Sequence, residues 1–445
     1  MIRQLLPVSA LLFGSALLLF AGGIHGLVLP LRGAQEGFGA TSLGLLGTGW
    51  AVGYVAGCYF VPRIVGSVGH IRAFGVMCAF AAVSILLQAL LVSAEFWIPV
   101  RAVSGFCFAG AAMIVESWLS DQASPKTRGT IFGIYTMVNL AAMTAGQMVI
   151  ALGSVAGFMF FAVGAIVYVL ALVPTALSTS HTPAPLTSVN LNLSLLWRNS
   201  PVAVVAVFLV GISNASFGTL AAVYAGGVGL PLTAIALFAS IPILAGAASQ
   251  VPIGFLSDRM DRRKVLVGAA VLALAADLGF ILLAPQDRMT NLILVGVFGA
   301  AIYALYPIIV AHANDHAPEG TSIQVSGGLL MVFGIGSIAG PLLAGVMMAM
   351  AGAQGLFLTT ISAHVIMIFY TLWRIMQRAA VPEREKGSFK MTLPARGSTP
   401  ETVALSDGEE EAEELEEAME AEEAAEKAAE KAGAQARSTR TDPTE

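Results

Sequence analysis

Twelve continuous apolar runs, separated by short polar breaks, limit this chain to very few folds. They cover approximately 8–31, 41–62, 73–93, 97–118, 130–151, 154–177, 201–225, 233–256, 265–284, 290–311, 322–350 and 354–376. About 20 apolar residues wound as a helix cross roughly 30 Å of hydrocarbon. The runs are continuous rather than alternating. That favours helices over a barrel, because each helix satisfies its own backbone polar groups within the bilayer. With 56% hydrophobic and only 11% charged residues, against roughly one quarter charged in soluble domains, a soluble globular protein is excluded. The expected class is an all-α polytopic membrane protein.

Charge sets the expected orientation. Alternate loops on one side collect Arg3, Arg63, Arg72, Lys126, Arg128, Arg198, the 259–264 cluster and Arg374 to Arg378, whereas the other side collects only Arg32 and Arg288. Basic loops stay in the cytoplasm, so both termini are expected there. The N-terminal run is too long for a cleaved secretory signal and is followed by many more. It reads as an uncleaved first span.

The chain divides by composition. Residues 1–376 hold 14 basic and 10 acidic side chains, and 377–445 hold 9 and 18. The net charge of −5 therefore comes from the tail. Segment 178–200, rich in Ser, Thr, Pro and Asn, splits the spans six and six, giving an N-terminal bundle (1–177), a linker (178–200), a C-terminal bundle (201–376) and an acidic tail (377–445). The bundles share punctuation: Pro125 aligns with Pro318, Gly133 with Gly327 and Gly146 with Gly340. Duplicated bundles can rock about a site between them, and Gly133, Gly146, Gly334, Gly336 and Gly340 are positions where helices can pack closely. The tail to about residue 407 lacks hydrophobic periodicity and reads as disordered; residues 408–434 suit a solvated helix. An unidentified partner of the tail stays open.

Few residues could carry chemistry. Cys58, Cys78 and Cys107 lie in apolar runs without CxxC spacing, so neither a metal site nor a disulfide framework is expected. No cofactor or nucleic-acid partner is expected either. Without a G-x-x-x-x-G-K-[ST] phosphate cradle, ATP-driven pumping is disfavoured. Arg101 stands inside the fourth run, where a charge is costly unless it faces a cavity or a partner. One turn earlier, Trp97 has the spacing of an interfacial aromatic. Glu116 lies near the cytoplasmic end of the same run, and pairing with Arg72 or Arg128 across an inner gate is expected. Asp277 stands alone mid-run with no cation nearby in sequence, so Asp277 or Glu116 could exchange a proton. Asn139, Gln147, Tyr303 and Tyr306, with Gln88, Asn214, Tyr224 and Asn314, are further cavity candidates. His25 and His364 read as packed or interfacial histidines. Many Phe and Met residues beside so few polar ones suggest a mostly apolar cavity for an amphipathic solute.

The densest charge, GFLSDRMDRRKVLVG at 254–268, contains Asp258, Arg259, Asp261, Arg262, Arg263 and Lys264. It resembles the G-x-x-x-D-R-x-G-R-R-K loop of the major facilitator superfamily, with Asp261 in place of the usual glycine. The equivalent first-half loop, PRIVGSVGHIRAFG, has Gly66 where the Asp would stand. Arg101 with Gly105 resembles the superfamily's R-x-x-x-G motif. RAVSGFCFAGAAMIVESWLSD, the K-x-R-G segment with Tyr135 and Gly146-Gln147, and FGAAIYALYPIIVAHAND (298–315) resemble the YcaD-like branch of bacterial major facilitators. The resemblance spans roughly 5–376. It implies a bacterial inner-membrane transporter, a functional monomer working by alternating access, with a small-molecule substrate and protons as partners. It also implies that the 254–268 loop latches the cytoplasmic side, with Asp258, Arg259, Asp261, Arg262, Arg263, Arg72 and Arg128 at that gate. For Arg101 it implies a part in coupling and substrate binding. Proton-coupled export is the first expectation. Uptake of a metabolite, or a transporter-like receptor signalling through the tail, remains open.

Overall fold

The computed structural model describes residues 8–123, 127–177, 193–318 and 321–379, together with 381, 382, 386, 387, 389, 399 and 402. Among them are twelve helices long and apolar enough to cross a membrane. They are α1 Ser9–Gln35, α2 Ala40–Val68, α3 His70–Leu90, α4 Ala94–Gln122, α5 Arg128–Val149, α6 Met159–Ala176, α7 Pro201–Gly227, α8 Leu232–Arg259, α9 Arg262–Leu283, α10 Arg288–Asn314, α11 Ser322–Ala351 and α12 Gly355–Gln377. All twelve expected spans are present. Most extend a few residues beyond the apolar run. The starts of α4, α9 and α10 show why: Ser93 accepts from the Phe96 N–H at 3.2 Å, Asp261 from Arg263 at 3.0 Å and Asp287 from Thr290 at 2.8 Å. These polar caps satisfy donors that the first turn leaves open. α6 begins at Met159 rather than near 154, because Gly153 and Gly157 bracket a non-helical break after the 3-10 turn Ile150–Leu152.

Close packing follows the glycines. On α1, Gly23 lies against the Met143 carbonyl of α5, and Gly146 of α5 against the Phe20 backbone of α1. The same pattern recurs six helices later, with Gly211 of α7 against Phe333 of α11, and Gly340 of α11 against Ile212 of α7. Gly37 after α1 and Gly229 after α7 both have positive φ, +79° and +82°, which glycine adopts without Cβ strain. Gly133 differs from its expected role: a Cβ there would meet open space.

The apolar core is unevenly shared. One buried cluster joins α1–α6 to the ends of α7–α12 farthest from the termini, including Phe217, Phe238, Phe280, Phe298 and Phe357. A second is confined to the termini-bearing end of α7–α12. The first six and last six helices are therefore fused at the end opposite the termini. There Gly44 of α2 sits against Pro341 and Gly345 of α11, Thr48 donates to the Ile338 carbonyl at 2.8 Å, and Ser240 of α8 donates to Gln147 of α5 at 2.9 Å.

Candidate functional site

A cavity of about 130 Å³ lies near the middle of the bundle. It is walled by α1, α2, α4, α5, α6, α7, α8 and α10. Trp50 and Phe108 form an aromatic wall with ring centroids 5.9 Å apart, and Tyr54 tilts against both. Arg101, His25, Tyr168, Asn214, Thr219 and Tyr303 supply the polar lining. Arg101 is 8% exposed. Its guanidinium is the one formal charge among the lining residues. Small residues make the room: Gly105, one turn after Arg101, abuts the Trp50 backbone, and Gly53 of α2 abuts Ala102.

Of the residues singled out in the sequence, Arg101 and Tyr303 line this cavity, as do Asn214 and His25; Trp50, Phe108 and Thr219 do so without having been singled out. The others lie elsewhere. Asn139 is buried between α5 and α1, accepting from Ser15 at 2.8 Å. Gln147 ties α5 to α8, and Tyr306 packs edge-on against Phe333 with centroids 5.6 Å apart. Trp97 is fully buried within the protein, donating to the Leu91 carbonyl at 2.8 Å and packed on Phe38.

Glu116 is 0% exposed and accepts from the Tyr135 hydroxyl at 2.9 Å and from Thr399 of the tail. The expected partner Arg72 is exposed and forms no ion pair among the described residues. Its position at the start of α3 leaves it in solvent while Glu116 faces inward. The Arg128 side chain lies outside the described residues.

Asp277 is 0% exposed and has a cation-forming partner that its sequence neighbourhood does not reveal. His364 Nδ1 of α12 lies 2.7 Å from Asp277 Oδ2, and Thr360 donates to Asp277 Oδ1 at 2.6 Å. His364 Nε2 lies 3.1 Å from Ser213 Oγ of α7. In the first six helices the corresponding helices α1, α3 and α6 hold His25, Gln88 and Tyr168, with Nε2 of His25 2.8 Å from Gln88 Oε1.

At the termini-bearing end, Arg262 and Arg263 of the 254–268 loop are buried in an ion-pair cluster, while Arg259 and Lys264 are exposed. Arg262, 1% exposed, pairs with Asp315 at 2.7 Å and with Asp258 at 3.1 Å. Arg263 pairs with Asp261 at 2.8 Å and donates to the Arg378 carbonyl at 2.8 Å. Burial works to raise the Asp261 carboxyl, but hydrogen bonds from the Arg263 side chain and backbone outweigh it and hold it below the usual carboxylate range. Arg259 stacks over Phe255 at 3.6 Å. Asp315 completes the cluster from the end of α10, fifty-three residues from Arg262; no local pattern marks it. The α2–α3 turn has no such ion pair among the described residues, and Arg63 lies over Tyr59 at 4.6 Å. Among the described residues the ion-pair cluster is thus confined to the 254–268 loop.

Tail residues read as disordered also pack here. Lys386 donates to the Met260 carbonyl at 2.6 Å, Gly387 to Asp315 at 3.2 Å, and Phe389 fills the space beside Gly254. Thr399 and Thr402 are buried and bonded to each other, and Thr399 donates to Glu116 of α4. The acidic stretch 408–434 lies outside the described residues.

The family model described as Major Facilitator Superfamily matches residues 11–246 and 203–408. The chain belongs to this superfamily. The two matches overlap at 203–246 and together run through all twelve helices. The chain is 25% identical over 374 residues to the MFS-type transporter YcaD of Salmonella typhi, covering 83% of this chain and 96% of that protein. The Salmonella arizonae YcaD is also 25% identical, over 369 residues. Among solved structures, the nucleoside transporter NupG aligns with a TM-score of 0.70 at 14% identity, covering 83% of this chain and 98% of that one. A bacterial homologue of the human lysosomal transporter Spinster, inward-facing and occupied, aligns at 0.67 and 15%, covering 86% and 98%. At these identities the structures establish the fold. Membership and fold together make this transporter a multi-pass membrane protein of the secondary, small-molecule class.

Proposed function

We propose that this transporter exports an amphipathic small molecule from a bacterial cytoplasm across the inner membrane, driven by protons. The observation carrying the reading is the central cavity, where Trp50 and Phe108 offer an apolar face and Arg101, His25, Asn214 and Tyr303 offer a few orienting groups. In this reading the first six and last six helices are two bundles joined by a cytoplasmic linker, both termini are cytoplasmic, and a monomer suffices. The fused end then faces outward, and the Arg262–Asp315 cluster guards the inner side. Arg101 orients the solute, Glu116 and Asp277 are the coupling carboxylates, and Arg72 and Arg128 lie at the inner rim.

The test is purified protein in liposomes with an imposed pH gradient and an internal pH dye, screened against pools of amphipathic compounds and metabolites. Proton movement with one pool, abolished in Arg101→Ala, is the expected result, and its direction relative to the solute separates export from uptake. No solute-dependent proton movement with any pool would contradict coupling.

The contact of Thr399 with Glu116 favours a second reading, a receptor that signals through its tail. Deleting 380–445 separates the two: a transporter keeps flux, whereas a receptor keeps ligand binding and loses its output.

A further inference from the structure

We propose that Ser213, Asp277, Thr360 and His364 form a proton-binding site set behind the cavity, whose occupancy is transmitted to the cavity through α7. The four side chains come from three helices and are each buried. His364 Nδ1 to Asp277 Oδ2 is 2.7 Å, Thr360 Oγ1 to Asp277 Oδ1 is 2.6 Å, and Ser213 Oγ to His364 Nε2 is 3.1 Å. Phe298 of α10 lies edge-on against the imidazole, with centroids 6.1 Å apart. No other titratable group faces the pair among the described residues: α7 presents Ser213, α10 Phe298, and α12 Thr360 beside His364.

One proton converts this network between two hydrogen-bonded forms. With His364 neutral, Nδ1–H donates to the Asp277 carboxylate and Nε2 accepts the Ser213 hydroxyl. Adding a proton places N–H on Nε2, so Nε2 donates to Ser213 Oγ. The Ser213 hydroxyl must then turn its own hydrogen toward a carbonyl of its helix. The bond reverses and no charge is left unpaired, because imidazolium and carboxylate neutralise each other. The next residue on α7 is Asn214, a cavity-lining side chain that is 2% exposed and whose Oδ1 has no partner among the described residues. Proton occupancy on one face of α7 is therefore adjacent to the solute on the other.

The first six helices serve as an internal control. His25, Gln88 and Tyr168 occupy the corresponding helices, but an amide stands where Asp277 stands. Gln88 is neutral and gives a protonated His25 no counter-charge. Among the described residues the imidazole–carboxylate pair lies in the last six helices.

The coupling half of this inference rests on the transport reading above; the protonation half does not. Full-length protein in lipid nanodiscs is titrated through about pH 5 to 8, where histidine responds, and followed by infrared difference spectroscopy of carboxyl and imidazole bands. The expected result is one component, beside any from the other five histidines, that is lost in Asp277→Asn and in His364→Gln. In Ser213→Ala its midpoint moves by about one pH unit, a tenfold change in proton affinity. An unchanged titration in Asp277→Asn, or in Ser213→Ala should Asp277→Asn fail to fold, overturns the site. In liposomes containing a pool that wild type transports, Asp277→Asn should retain solute counterflow and lose accumulation driven by a pH gradient. Retained accumulation overturns the coupling. Wild type that titrates but moves no solute refutes the transport reading and leaves the proton site standing.

Discussion

At the scale of single residues, the charges that matter are those the fold has removed from water. Arg262 and Asp315 are 1% and 3% exposed and pair at 2.7 Å. Removing Arg262 leaves Asp315 buried without its cation, so Arg262→Ala should destabilise the protein by about 3–5 kcal/mol, measured as loss of thermal stability in detergent; Asp315→Ala should cost less, because Arg262 keeps Asp258 at 3.1 Å. The Arg262→Met/Asp315→Leu double variant should recover much of that loss. Asp261 is a smaller case. It caps α9 by accepting the Arg263 N–H, and Asp261→Ala should cost about 1 kcal/mol. Its carboxyl is held below the usual range, so its contribution is fully present above the unfolded value of about 3.9. It is lost as pH falls through the lower folded value. Wild type and Asp261→Ala should therefore differ at neutral pH and converge in acid.

The residue scale also shows what a sequence can and cannot disclose. Arg101, an isolated cation in an apolar run, was legible as a cavity residue because the bilayer penalises it elsewhere. Asp277 was legible as a buried carboxylate for the same reason. Its partners were not, because His364 lies 87 residues away and looks like a packed histidine by itself. Asp315 and Arg262 show the same limit at 53 residues. Glu116 misled the reading toward Arg72, since two opposite charges near one membrane face do not fix which way each side chain turns.

At the scale of helices, close approach is a matter of what a Cβ would meet. Gly53 and Gly105 lock α2 to α4, each with the opposing backbone where a side chain would begin. A backbone cannot give way as a flexible side chain can. Gly105→Val should prevent folding or separate the helices, and expression of monodisperse protein reports it. Gly133→Ala meets nothing and should leave stability and expression close to wild type. The repeat of Gly146 and Gly340 was legible as spacing in the sequence. That Gly133 carries no packing was not, because a glycine facing open space and one facing a helix are identical letters. Helix number was legible throughout, since twelve apolar runs leave little freedom. Helix ends were less so, because Ser93, Asp261 and Asp287 extend their helices by polar caps outside the apolar pattern.

At the scale of the whole molecule, the apolar core joins the two sets of six helices at one end and leaves them separate at the other. Tail residues occupy the separate end, with Lys386, Gly387 and Phe389 on the last six helices and Thr399 on the first. Deleting 380–445 should therefore raise the rate of solute flux without changing the solute selected, and initial rates in liposomes check this.

Alternating access about the Trp50–Arg101 cavity is the central claim, and paired spin-label distances test it most directly. One pair, at the exposed positions Leu91 and Arg288, reports the fused end; the other, at Ser67 and Lys264, reports the termini-bearing end. As pH is stepped across the histidine range in the presence of a transported pool, the first distance should lengthen while the second shortens. Movement of only one pair, or of both in the same sense, would contradict alternating access.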